Sequence, residues 1–218
     1  TGVDRAFGMI LDALKEAGLD ENTVVVFSSD HGETMCSQNT DDPKNSPYTE
    51  SMNVPFIIRY GSRLKPHVDN LLLSSPDIMP TMLGMAGLHD KIPAEIQGVD
   101  YSPLFYQPGS ESVKRPDAAL YIQNMDGNKD AQGNVVDYFP SARGIKTHQY
   151  TMAVYIDRNN NRDHVLLFDD KVDPYQLNNI ADTKEGKAAI KKLYKRMGEL
   201  LTEIDDPWIS RGIYKRVA

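Results

Sequence analysis

The sequence predicts an α/β chain: a mixed or parallel sheet covered by helices, followed by a small antiparallel sheet with a packing helix at its end. Three observations carry this expectation. An amphipathic helix near the start leads into a β-branched strand; strand, loop and helix signals alternate up to about residue 108; and beyond it come several alternating strands and one long amphipathic helix. The two expected domains are residues 1–108 and 109–218.

Val3, Ala6, Phe7, Ile10, Leu11 and Leu14 recur at helical spacing with charged residues between them, so the first element is a helix with one apolar stripe, stopped near Gly18. The polar turn Asp20-Glu21-Asn22 leads into a strand from Thr23 to Ser28. It has no polar alternation, as in a parallel sheet buried on both faces. Val54 to Ile58 is a second short strand. A helix starts at Asp77, read as its N-cap with Pro80 in the first turn, and runs to Gly87. Past the turn Gln107-Pro108-Gly109-Ser110, strands are expected over Ala118–Met125, Ser141–Lys146, Tyr150–Ile156 and His164–Phe168, as an antiparallel sheet with one wet face. The last helix carries Ile190, Leu193, Tyr194, Met197, Leu200, Leu201 and Ile204 on one side. Lys187, Lys191, Lys192, Lys195 and Arg196 on the other make a solvated face.

Composition narrows the function. The 218 residues are 40% hydrophobic and 25% charged, an ordinary globular balance, and the net charge of −7 disfavours a nucleic-acid partner. No apolar run approaches the roughly 20 residues of a membrane span. A single cysteine, Cys36, excludes an internal disulfide and a cysteine-based zinc cluster.

The first strand ends abruptly in Ser28-Ser29-Asp30-His31-Gly32-Glu33. Ligands of open α/β sheets bind beyond the carboxyl ends of strands. A carboxylate beside an imidazole there suits a divalent cation, with oxygen donors favouring Ca²⁺ or Mg²⁺, and Gly32 permits a sharp turn after the pair. Taken in isolation, Asp-His-Gly reads first as a cap and a packed histidine.

Five stretches in one order strengthen the cation reading: "TVVVFSSDHGE", "KNSPYTESMNVPFIIRYG", "LLLSSPDIMPTMLGMAGL", "IQGVDYSPLF" and "LFDDKVDPYQLNNIAD". Together they resemble the C-terminal part of a type I sulfatase, within the alkaline phosphatase-like superfamily, over essentially the whole chain. The resemblance implies sulfate-ester hydrolysis by a formylglycine with Ca²⁺ (or Mg²⁺). It implies metal contacts from Asp30 and His31, and Lys44 as a catalytic residue that touches the sulfate ester. It also implies a sulfated small molecule or sulfated glycan as substrate, and a periplasmic or secreted location. Formylglycine arises within C/S-x-P/A-x-R, and Cys36-Ser37-Gln38-Asn39-Thr40 lacks both the Pro/Ala and the Arg. The chain is therefore expected to be a fragment without the nucleophile, inactive alone, and prone to self-association through surface that the remainder would cover.

Other assignments are finer. Tyr48, Glu50 and Ser51 are expected to position the Lys44 loop, and Glu33 to support the loop rather than the ion. Relatives commonly carry a Gly-x-His-Gly-like segment where this chain has Cys36-Ser37-Gln38-Asn39, followed by Thr40-Asp41-Asp42, so that loop's substrate contacts differ. Arg143 and Lys146 begin a strand that relatives write as R-x-x-R/K-T, and His148 is a candidate sugar contact beside the plainer reading of a half-exposed strand histidine. His164 is a weaker candidate. Asp173 to Asn179, "DPYQLNN", reads as a structural turn. Two alternatives stand beside the sulfatase: a phosphoester or phosphonate hydrolase on the same scaffold, distinguished by its nucleophile, and a non-catalytic glycan-binding module, disfavoured by the negative charge.

Overall fold

The computed structural model describes residues 2–40, 43–124, 128–133, 135–137 and 141–218. In chain order the elements are α1 (Gly2–Glu16), β1 (Val25–Ser28), α2 (Thr49–Met52), β2 (Phe56–Arg59), α3 (Ser75–Met85), α4 (Ser102–Tyr106), β3 (Ala118–Gln123), β4 (Asn128–Lys129), β5 (Val135–Asp137), β6 (Ser141–Thr147), β7 (Tyr150–Ile156), β8 (Arg162–Asp169), α5 (Lys184–Glu203), α6 (Pro207–Ser210) and α7 (Ile213–Val217). They form two compact units. One joins Thr1–Asp30 to Val54–Arg115; the other joins His31–Asn53 to Pro116–Ala218.

In the first unit, α1 ends at Gly18, whose φ of +67° lets the chain reverse. The helix meets the strand through Phe7 and Phe27, with ring centroids 5.1 Å apart. The strand expected to be buried in a parallel sheet is half-buried in this chain, and among the described residues it pairs antiparallel with β2, Val25 opposite Arg59 and Ser28 opposite Phe56. The core of this unit is Tyr60, Met85, Tyr101, Leu104 and Phe105.

Helix α3 starts earlier than expected. Ser74 is the N-cap, and Asp77 sits at the third helical position, where its carboxylate accepts the Ser74 N–H at 2.9 Å and the Val99 N–H at 2.9 Å. The two signals Ser74 and Asp77 form one capping box, so the sequence reading took its second member for the cap. Pro80 consequently lies beyond the first turn, inside the helix and buried.

The second unit is built on the sheet β3-β6-β7-β8, antiparallel throughout. Strand pairing puts Ile145, Met152 and Leu167 side by side on one face, packed with Val154 and Ile156 against Leu193, Met197 and Leu201 of α5 and Trp208 of α6. The opposite face is not wet. Tyr121, Ala142, Ala153 and Tyr155 form a second buried cluster there, and Phe168 meets the Tyr48 ring at 5.7 Å. Alternation failed as a guide because β6 and β7 are central strands, buried on both faces. Met125, the expected end of β3, lies outside the described residues.

Arg143 lies on the α5 face of β6 with 1% exposure. Its Nε donates to Asp206 at 2.9 Å, its other nitrogens to Asn124 Oδ1 and the Gln123 and Ala142 carbonyls, and its guanidinium stands over the Trp208 ring. Burial pulls its pKa down, and the Asp206 charge opposes that pull. It holds α6 to the sheet.

Candidate active-site segment

β1 delivers the chain to Ser29 and Asp30, the last residue of the first unit's N-terminal stretch. The Ser29 hydroxyl donates to Asp30 Oδ1 at 3.2 Å. His31 opens the second unit. Its Nδ1 is 2.8 Å from the Gly32 carbonyl oxygen, which assigns the ring proton to Nδ1 and the neutral ring's lone pair to Nε2. That tautomer is the one a metal-ligating histidine adopts when a backbone carbonyl orients it, and Asp30 offers carboxylate oxygens. Carboxylate oxygen and imidazole nitrogen are donor types that suit a divalent cation. Among the described residues no group of three or more His, Cys, Asp or Glu is arranged to hold a metal.

From His31 to Asn53 the chain closes on itself. The Gly32 N–H donates to Ser51 O at 2.8 Å, and the Thr34 N–H to Pro43 O at 3.0 Å. Inside this neck the Ser51 hydroxyl donates to the Lys44 carbonyl, while the Lys44 side chain stands at the surface. Ser37 donates to Glu50 Oε1 at 3.5 Å. Burial, then the neighbouring Glu50 charge, pushes the Tyr48 phenol pKa up. Glu50 and Ser51 thus make side-chain bonds within the loop, while the Tyr48 ring meets Phe168. Asp41 and Asp42 lie outside the described residues.

Two features set this segment apart. Met35, Cys36, Gln38 and Asn39 all have φ between 52° and 67°. Such left-handed backbone costs roughly 1–2 kcal/mol at a non-glycine residue. Thr34 Oγ1, Ser46 Oγ and Glu50 Oε2 are buried, with no hydrogen-bond partner among the described residues. Backbone strain of this kind gathers at functional sites.

The sheet of the same unit grips the segment. The Gln38 amide donates to the Tyr175 carbonyl at 2.5 Å, and Gln176 Oε1 accepts the Thr49 N–H at 2.7 Å. Gln176 Nε2 donates to Asp170 Oδ1 at 2.7 Å. Asp170 Oδ2 accepts from Lys146 Nζ and from the Thr151 hydroxyl, each at 2.7 Å. Lys146 is thereby part of this scaffold. His148 sits exposed in the turn between β6 and β7 rather than in a strand. His164 stacks on Tyr155 at 4.4 Å and meets Asp163. Sequence reasoning recognised the Asp173–Asn179 turn but missed that Gln176 reaches from it to Thr49. The available signal was a long polar side chain where Asp and Asn do the local turn-making.

A family model described as Sulfatase matches residues 1–88, and the chain belongs to the sulfatase family. Among its relatives is the endo-4-O-sulfatase of Bacteroides thetaiotaomicron, 61% identical over 214 residues, which cover 98% of this chain and 42% of the relative. An ulvan-active sulfatase of Formosa agariphila is 33% identical over 98% of this chain and 39% of its own length. A solved Bacteroides thetaiotaomicron structure, described under the metabolism of multiple glycosaminoglycans, superposes with a TM-score of 0.91 at 60% identity, covering all of this chain and 45% of that one. The chain therefore spans less than half the length of these relatives, and it matches the C-terminal part of sulfatases.

Proposed function

We propose that this chain is the leaving-group side of a sulfatase that hydrolyses sulfate esters on a sulfated glycan, within the chain of the polymer rather than only at its end. The endo-acting relative and its 61% identity support the substrate class. Asp30 and His31 would hold a Ca²⁺ ion, with further ligands from outside these two residues, and Mg²⁺ is the second choice. A bound cation there polarises sulfate oxygens. The attacking oxygen comes from a hydrated formylglycine outside this chain. Lys44 offsets negative charge on the ester oxygen as the S–O bond breaks. His148 is a sugar contact in this reading, and a periplasmic or extracellular location goes with it.

One observation carries the proposal: Lys44 stands exposed on a segment whose backbone is strained, internally bonded and gripped by a sheet, immediately after Asp30. A surface lysine with no task needs no such support. The experiment is Lys44→Ala in the complete enzyme. The expected loss in kcat/KM on a sulfated glycan is about 10²–10³-fold, the size seen when one charge-stabilising group is removed. A value within about twofold of wild type, under ~0.5 kcal/mol, refutes the assignment. Asp30→Ala should abolish activity. This chain alone should not turn over an aryl sulfate, and Ca²⁺-dependent turnover by it would overturn the division of the site.

A further inference from the structure

We propose that Gln176 is a positioning residue for the Lys44 segment, so that the C-terminal sheet acts in catalysis by clamping that segment. The inference rests on the reading of Lys44 given above. Gln176 is 1% exposed and adopts a φ of +55°, an unusual backbone for a side chain of its length. The turn around it enforces that conformation. The Gln176 N–H donates to Asp173 O at 3.0 Å and Asp173 Oδ2 accepts the Asn178 N–H at 2.7 Å. Asn179 Oδ1 accepts the Leu167 N–H at 2.9 Å.

Both ends of the amide are then committed, and in one orientation. A backbone N–H only donates and an ionised carboxylate only accepts, so Oε1 must face Thr49 and Nε2 must face Asp170. Asp170 is fixed in turn by Lys146 and Thr151 on the sheet. Thr49 opens α2, where its N–H has no partner inside the helix. Two residues on, Ser51 holds Lys44 through its hydroxyl and Gly32 through its carbonyl. Hydrogen bonds therefore run from β6 and β7 through Gln176 to Thr49, and the short backbone step to Ser51 carries the link on to the Lys44 carbonyl. The second grip, Gln38 on the Tyr175 carbonyl, comes from the same turn.

Two variants test this. Gln176→Leu removes both amide bonds. Gln176→Asn keeps a polar side chain that tolerates positive φ but falls short of Thr49, so it serves if the leucine variant does not fold. By hydrogen exchange on this chain, each variant should speed exchange at the Thr49 and Met52 amides about tenfold or more, with Met152 and Val154 in the sheet unchanged. In the complete enzyme, each should lower kcat on a chromogenic aryl sulfate with KM within about twofold. Each should also be coupled to Lys44→Ala, the double variant losing markedly less than the two single losses combined. Unchanged Thr49 exchange in the asparagine variant, or fully additive losses, overturns the inference. If Lys44→Ala alone proves harmless, the functional reading fails instead, and the exchange result still decides whether Gln176 holds the segment.

Discussion

Gly32→Ala tests the neck of the Lys44 segment directly. A Cβ built on Gly32 would lie 1.9 Å from the Glu50 carbonyl oxygen, 2.9 Å from its carbon and 3.2 Å from the Ser51 carbonyl oxygen. The obstruction is backbone, so no side-chain rotation relieves it. The strands of the neck must part by at least about 1 Å before van der Waals contact becomes tolerable. That movement also stretches the 2.8 Å Gly32–Ser51 hydrogen bond beyond useful length. Steric insertion into packed structure costs about 1–3 kcal/mol, and a lost hydrogen bond about 0.5–1.5 kcal/mol. The segment should therefore lose about 2–4 kcal/mol of local stability, while the sheet, which the neck does not form, keeps its own. Hydrogen exchange resolves the two. The Gly32 and Thr34 amides should exchange at least about tenfold faster and the Met152 amide at its old rate. If the neck amides stay protected in Gly32→Ala, the close approach is not what shapes the segment, and the positioning of Lys44 loses its first support.

Three further outcomes are expected. Arg143→Met strands the Asp206 carboxylate, 4% exposed, with its capping bond to Trp208 and no counter-charge; global stability by denaturant titration should fall by about 3–5 kcal/mol, and a loss under about 1 kcal/mol would refute the buried-pair account. Hydrogen bonds from Arg115 hold the Asp69 carboxyl below its usual 3.8, so the unfolded chain takes up this proton first as acid is added. That contribution is complete above pH 3.8 and disappears as pH falls through the lowered folded value. Arg115→Ala should accordingly lower Tm near neutral pH, with the difference from wild type shrinking in strong acid; a widening difference contradicts the sign. Val3, Met9 and Ile10 of α1 and Ile57 of β2 are more than half exposed, so this chain should sediment as more than a monomer, and Ile10→Glu should reduce the association. A strictly monomeric wild-type chain at high concentration counts against it.

The elements legible in the sequence were those with strong periodicity and clear ends: α1 with its Gly18 stop, β7 over Tyr150–Ile156, and the apolar side of α5. The second covered face of the sheet was not legible, because it depends on Tyr48 reaching Phe168 across 120 residues, and alternation records only local exposure. The site divides in the same way. Asp30, His31 and Lys44 were singled out by order of motifs, and the bonds of Ser51 follow from its place in that motif. Gln176 was passed over because a turn rich in Asp and Asn accounts for itself locally, and nothing in a single sequence says that its one long amide points elsewhere.

The segment that carries Lys44 is a poor structure by its own means. Four left-handed residues, at roughly 1–2 kcal/mol each, weigh against it. Propensity does not hold it, since α2 spans only one turn. Attachment supports it: the Gln38 and Gln176 bonds and the Tyr48–Phe168 contact are made to the sheet or to the turn that follows β8. The same argument explains why the sheet is covered on both faces. One face stores stability against α5, where Met197 and Leu201 are wholly buried, and the other delivers it to the strained loop. A substitution on the α5 face should therefore lower global stability first, whereas one at Gln176 or Tyr48 should loosen the segment while the fold persists.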